Sequence, residues 1–197
     1  SKAVEQSPAI VVITDKAGVI EYVNPAFTRT TGYSPEEAVG QPTSILKSGM
    51  HSQEFYGEMW RTITSGKTWT GELINKKKNA ELFWESATFS PIFNGSGEIV
   101  RYLAVKQDIT ERKKAEEALA ESMIQLRTIF EKSPIGISHL DKEGTIINCN
   151  QPMADILGTS LAKLINFQAA KKVVDPEITD ALLGAINGHT TSYEGKY

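Results

Sequence analysis

Asp15-Lys16-Ala17-Gly18-Val19-Ile20 returns later in the chain as Asp141-Lys142-Glu143-Gly144-Thr145-Ile146. Ser7-Pro8 and Asn24, on either side of the first copy, return as Ser133-Pro134 and Asn150, and Gly32 and Ser34 return as Gly158 and Ser160. Each pair is 126 positions apart. A fixed offset held over that many positions means two copies of one structural unit in series. The 197 residues therefore divide into two domains of ordinary size rather than building one large core.

The first copy can be read locally. Ile10 to Thr14 is an apolar, β-branched run that predicts a strand, and Asp15 to Gly18 supplies the turn into a partner strand over Val19 to Val23. Asn24-Pro25 and Ser34-Pro35-Glu36-Glu37 are helix starts, with a capping side chain, proline in the first turn and, in the second case, acids near the helix dipole's positive end. Gln53 to Thr64 places Phe55, Met59, Trp60 and Ile63 at helical spacing. Strands follow at Thr68 to Asn75, Leu82 to Phe93 and Ile99 to Asp108, separated by polar turns. The expectation is an α+β fold, an antiparallel sheet with helices on one side, present twice and joined by a connecting helix.

The boundaries follow as 1–110 for the first domain, 111–130 for a helical linker and 131–197 for the second domain. The linker has no glycine or proline, and Ala115, Leu119, Ser122, Leu126 and Ile129 are spaced as a heptad seam. Two readings fit it: a helix packed on its own sheet, or a parallel coiled coil joining two copies of the chain. Ser192 to Tyr197 aligns with the first of the three later strands, so the second copy is expected to be incomplete in this sequence.

Composition removes several function classes. A net charge of −3 gives no reason to expect nucleic acid, and no apolar run is long enough to span a bilayer. The single cysteine, Cys149, forbids an intrachain disulfide and a Cys-x-x-Cys-His haem attachment, and fits a reducing, cytoplasmic setting. His51, His139 and His189 are scattered, with no metal-ligand spacing. His51, the one histidine of the first copy, reads as a surface loop residue, with a haem ligand as its alternative. No Ser/His/Asp arrangement stands at readable spacing, so the chain is not expected to be an enzyme.

Taken in order, Thr14-Asp15-x-x-Gly18-x-Ile20-x-x-x-Asn24, Phe27-x-x-x-Thr31-Gly32-Tyr33 and the closing Asp108-Ile109-Thr110-Glu111-Arg112 resemble the PAS family of sensor domains. The stretch Trp69-Thr70-Gly71-Glu72-Leu73-Ile74-Asn75-Lys76-Lys77-Lys78 is similar to that of FAD-binding, redox-sensing PAS domains of nitrogen-fixation regulators. Ser44-Ile45-Leu46-Lys47-Ser48-Gly49 and Tyr56-Gly57-Glu58-Met59-Trp60 share that similarity. The resemblance implies a flavin in the first domain, FAD rather than FMN, with Asn75 and Glu85 at the flavin's polar edge. It implies an apolar slot built with Trp60, Trp69, Leu46 and Ile74. As for the residues alone, Asn75 also reads as an amide capping the next turn, and the tryptophans as ordinary core.

The light-sensing LOV branch carries a reactive cysteine in Gly-Arg-Asn-Cys-Arg-Phe-Leu-Gln. Here the aligned run is Gly40-Gln41-Pro42-Thr43-Ser44-Ile45-Leu46-Lys47, which puts Thr43 at the reactive position and excludes a thiol adduct. Oxidation state is then the implied signal, read by Thr43 or by Lys106 on the exit strand, although Lys106 also reads as a surface cation. The tandem arrangement resembles sensors of two-component pathways. It implies an empty second domain, a homodimer through the linker helix or the PAS surfaces, and a histidine kinase later in a longer parent chain. A haem gas sensor and a cofactor-free interaction module are the alternatives.

Overall fold

A short helix α1 (Lys2–Glu5) leads into strands β1 (Ile10–Thr14) and β2 (Ile20–Val23), the hairpin expected of the repeated motif. The computed structural model describes residues 2–189. Asp15 closes the hairpin turn, its Oδ1 accepting from the backbone N–H groups of Ala17 and Val19, both at 2.9 Å. Gly18 sits at φ +82°, where a side chain would be strained and its Cβ would come within 2.9 Å of the Trp60 ring. The tight turn and the close approach both require glycine. Val19, expected inside β2, instead bridges to Pro42, and the hairpin register shifts between Ile13 and Thr14.

Helices α2 (Pro25–Thr31) and α3 (Pro35–Ala38) follow, then a 3-10 turn over Thr43–Leu46 and helix α4 (Gln53–Thr64). The starts of α2 and α3 match the sequence reading, Asn24 capping α2 and Ser34 and Glu37 forming a capping box on α3, and Ser52 also caps α4. Strands β3 (Trp69–Lys76), β4 (Leu82–Phe93) and β5 (Ile99–Asp108) complete an antiparallel sheet in the order β2-β1-β5-β4-β3. β3 thus lies at one edge of the sheet and β2 at the other. One face of the sheet buries Ile10, Val12, Ile20, Val23, Leu46 and Ala104 with Phe27 of α2, and that face holds the core.

Helix α5 runs from Thr110 to Lys132, and none of its residues is buried. Leu119, Leu126 and Ile129 of the expected seam are 63–66% exposed, so the reading in which they pack on their own sheet is set aside. The chain forms two compact units, the first ending at Glu117 and the second beginning at Ala118, so the division falls within α5. The second unit repeats the opening of the first: β6 (Ser138–Leu140), β7 (Ile146–Cys149), α6 (Gln151–Ile156) and α7 (Leu161–Leu164). Two further helices follow, α8 (Ala169–Lys172) and α9 (Pro176–Ile186). The strand expected over Ser192 to Tyr197 lies outside the described residues.

The repeat is structural down to single hydrogen bonds. Asn24, fully buried, accepts at Oδ1 from Val11 and Phe27 and donates through Nδ2 to the carbonyls of Val4 and Ala9. Asn150 accepts from Ile137 and Met153 and donates to Phe130 and Ile135. Every partner has moved by the same 126 positions. An amide is the one side chain that can supply two acceptor and two donor bonds in so small a volume. Asn24→Ala should therefore destabilise the first domain by about 2–4 kcal/mol, well beyond the loss of a simple helix cap. Asn24→Asp should be no milder, because its carboxylate has no donor for the two carbonyls. Urea denaturation checks both.

Candidate functional site

Alternation along three strands decides which side chains meet. On β3 the side chains of Leu73 and Asn75 face the core, on β4 those of Phe83, Glu85 and Ala87, and on β5 those of Tyr102, Ala104 and Lys106. In register, Glu85 lies opposite Leu73, and Ala87 lies opposite Lys106. Glu85 is therefore the diagonal neighbour of both Asn75 and Lys106, within reach of each.

The three side chains join. Asn75 Nδ2 donates to Glu85 Oε2 at 2.6 Å, and Lys106 Nζ donates to the same oxygen at 3.0 Å. Their exposures are 5%, 0% and 6% for Asn75, Glu85 and Lys106, so this is a buried ion pair bridged to an amide. The surface-cation reading of Lys106 is overturned: the inward parity of β5 takes its ammonium beneath the helices, 5.6 Å from the Phe89 ring centroid. Among the described residues Glu85 Oε1, also buried, has no hydrogen-bond partner. A buried carboxylate oxygen without a donor is costly, and it marks a place where a donor belongs.

Between this triad and the helices lies a cavity of about 160 Å³, lined by Thr43, Lys47, Tyr56, Leu73 and Asn75 among others. A smaller hollow of about 30 Å³, walled by residues such as Leu46, Ile63 and Tyr102, shares Thr43, Met59, Trp60, Phe89 and Lys106 with it. The walls are mostly apolar and aromatic. Trp60 meets Tyr102 edge to face at 5.8 Å. The Tyr56 hydroxyl is a second buried polar atom without a partner, and burial raises its pKa, so it remains a protonated phenol. The space is smaller than the roughly 300 Å³ at which ligand pockets usually begin, so a large planar ligand would have to displace wall side chains.

Of the residues singled out from sequence, Thr43, Leu46, Trp60, Asn75 and Lys106 come together on this cavity, with Glu85 bonded behind two of them. Two do not. Ile74 points to the opposite face from Asn75, because neighbouring strand residues alternate, and Leu73 takes the lining position instead. Trp69 packs against Phe55 and Phe89 at 5.6 Å each and is not among the side chains lining the cavity. Sequence reasoning missed Tyr56 and Phe89 as lining residues. Phe89 was findable, since it shares parity with Glu85 along β4. Tyr56 was findable too, since it stands three residues before Met59 and seven before Ile63 on one face of α4.

His51 also differs from expectation. Its Nε2 accepts the backbone N–H of Ile74 at 2.7 Å and its ring stacks on Phe55, so it is a packed residue with an occupied nitrogen, not an idle loop side chain or an open haem ligand. Cys149 is buried in the second unit, where burial raises its thiol pKa. Among the described residues no cluster of His, Cys, Asp and Glu could hold a metal, and no helix is long and apolar enough to cross a membrane.

The strands of the site lead directly into α5. Ile109 donates to the carbonyl of Trp84, and the Trp84 N–H donates to Thr110 Oγ1, both at 2.9 Å. Asp108 Oδ1 accepts from the Thr110 N–H at 2.9 Å, starting the helix as the motif implied. On the outer face Glu72 grips both Arg112 and Lys113 at 2.6 Å.

Sheet order, with helices on one face, is the antiparallel α+β architecture of a PAS fold. The chain belongs to the PAS family: PAS domain models match residues 8–111 and 124–186. A nitrogen fixation regulatory protein of Klebsiella oxytoca is 29% identical over 94% of this chain, which spans 38% of that protein. A hybrid signal transduction histidine kinase of Dictyostelium discoideum is 31% identical over 79% of the chain, but the match takes in only 8% of that kinase. The solved structure of an RNA-binding light-oxygen-voltage receptor superposes with a TM-score of 0.56 at 25% identity, over 62% of this chain and 35% of that one. The chain thus matches PAS-containing parts of a regulatory protein, a signal transduction kinase and a receptor, and spans well under half of each.

The buried pair gives a direct test. Lys106→Met leaves the Glu85 carboxylate buried without its cation and should cost about 3–5 kcal/mol of domain stability. The double change Glu85→Leu with Lys106→Met removes both charges and should recover most of that loss. Urea midpoints of the three proteins check it.

Proposed function

We propose that the first domain is a flavin-binding redox sensor holding FAD, and that the chain is the input region of a signal-transduction protein. The observation that carries this reading is the Asn75 amide bonded to a buried Glu85 whose second oxygen lacks a donor. A flavin's pyrimidine edge offers a ring N–H between two carbonyls, and an amide beside an unsatisfied acceptor complements that pattern. Trp60, Met59, Phe89 and Leu46 supply apolar walls of the kind a tricyclic ring needs. The likeness of Trp69 to Lys78 to redox-sensing PAS domains supports FAD over FMN.

A bound flavin would supply reversible electron transfer coupled to proton uptake on the ring. The protein's part is to bind, orient and respond. Asn75 and Glu85 hold the polar edge, while Thr43 and Lys106 are the cavity side chains whose hydrogen bonds follow the ring's protonation. Lys106 stands on β5 two residues before Asp108, so any shift in its bond to Glu85 acts on the strand that starts α5. With Thr43 where a light sensor needs cysteine and Cys149 buried in the other unit, redox state rather than an adduct is the signal.

Residues 1–110 act as the sensor, 111–130 as the connector and 131–197 as a second, ligand-free PAS domain. At the place of Trp60 the second copy has Ile186, beside Gly144 as Trp60 is beside Gly18, so no indole stands there. The exposed Leu119, Leu126 and Ile129 support a homodimer through this helix, and the kinases among the relatives support a kinase output in a longer parent chain.

An absorption spectrum of the purified chain, before and after anaerobic dithionite, tests the reading. Flavin bands that bleach on reduction and return with air are expected, and Asn75→Ala should weaken flavin affinity about tenfold. A Soret band, or a colourless protein that refuses added FAD, overturns it. Sedimentation should report a dimer that becomes monomeric when Leu119 and Leu126 are both replaced by Asp.

A further inference from the structure

β3 carries Asn75 and lies at the edge of the sheet, so its outer rim has no neighbouring strand. At Ile74 that rim is closed by side chains. The Ile74 N–H donates to His51 Nε2 at 2.7 Å, and the Ile74 carbonyl accepts from Ser48 Oγ at 2.5 Å. Ser48 Oγ also accepts from the Met50 N–H at 3.2 Å, and Lys47 forms a β-bridge with Asn75. The loop from Lys47 to His51 thus serves as a substitute strand, with an imidazole where a strand would present a carbonyl. His51 is fixed for this task, stacked on Phe55 at 4.3 Å and edge-on to Tyr56 at 6.0 Å. A carbonyl accepts at every pH. An imidazole nitrogen accepts only while it is unprotonated.

We infer that His51 is a positioning residue for the site: neutral, it latches the rim of β3 and fixes Asn75, and protonation opens the latch. With Nε2 accepting, the ring proton belongs on Nδ1, and a second proton would set an Nε2–H against the Ile74 N–H. Burial lowers the His51 pKa below its ordinary value, with no contribution from a charged neighbour. The charged groups on the elements around it are Lys47 on its own loop, Glu54, Glu58 and Arg61 on α4, and Glu72 and Lys76 on β3. Lys47 Nζ lies over the Tyr56 ring, Glu54 is exposed in the first turn of α4, and Glu72 is held by Arg112 and Lys113. Because the folded pKa is lowered, the latch is whole above the ordinary histidine value near 6.5 and is lost as pH falls through the lower folded value.

The consequence for a ligand rests on the flavin reading, but the latch does not, so the test reads the backbone first. On the full chain, nitrogen NMR should find His51 as the Nδ1–H tautomer at pH 8. Hydrogen exchange should show Ile74 protection falling about tenfold, relative to amides paired between β3 and β4, as His51 titrates. His51→Gln, whose amide oxygen accepts without titrating, should keep the protection and abolish its pH dependence. Flavin affinity should fall with pH in the wild type and stay level in His51→Gln. An Nε2–H tautomer, or the same pH dependence of Ile74 in His51→Gln, overturns the latch. If Ile74 is released on cue while flavin affinity ignores His51, the positioning role falls. If Ile74 behaves as expected but no flavin binds at any pH, the latch stands and the flavin reading fails.

Discussion

A carboxylate with no exposed surface must be answered by donors, and Glu85 is answered from both neighbouring strands at once. Asn75 reaches it from β3 and Lys106 from β5, so one oxygen ties the strands on either side of β4 to it. A slip of one residue in either pairing would turn Asn75 or Lys106 outward and leave the charge buried alone, a loss of several kcal/mol. The triad therefore penalises wrong register while it builds the polar end of the cavity. Its other oxygen, Oε1, is buried without a hydrogen-bond partner among the described residues.

The two asparagine hubs show what the repeated sequence preserves. Asn24 and Asn150 make the same four bonds to partners displaced by the same interval, tying a preceding helix, a strand and a following helix together. In the first unit the preceding helix is α1, and in the second it is α5, through the Phe130 carbonyl. The frame is common to both copies. The wall at Trp60 is not, since Ile186 stands there in the second copy.

The path from cavity to helix is short because β4 presents adjacent residues to opposite faces. Glu85 looks into the core, while the backbone of Trp84, one residue earlier, holds Ile109 and Thr110 at the start of α5. A displacement of β4 relative to β5 would alter the contacts at both places.

By itself the sequence determined the local elements: the hairpin at Asp15 to Gly18, the capped helices at Asn24 and Ser34, the helix over Gln53 to Thr64, and three later strands placed to within a residue. These depend on short-range chemistry, turn residues, caps and alternation, that is written in consecutive positions. The doubling of the domain was equally legible, because a fixed interval needs no structure to be seen. Asn75, Glu85 and Lys106 were each picked out, but their union was not, since it depends on how three strands separated by turns are registered. Ile74 was mistaken for a wall residue because parity cannot be assigned until one residue of a strand is known to face inward. His51 read as a loose loop side chain, for its partner is a backbone N–H twenty-three positions away. Only the tertiary structure decided these, because hydrogen bonds across an edge or between diagonal neighbours are set by where the strands lie and not by what adjoins them in the chain.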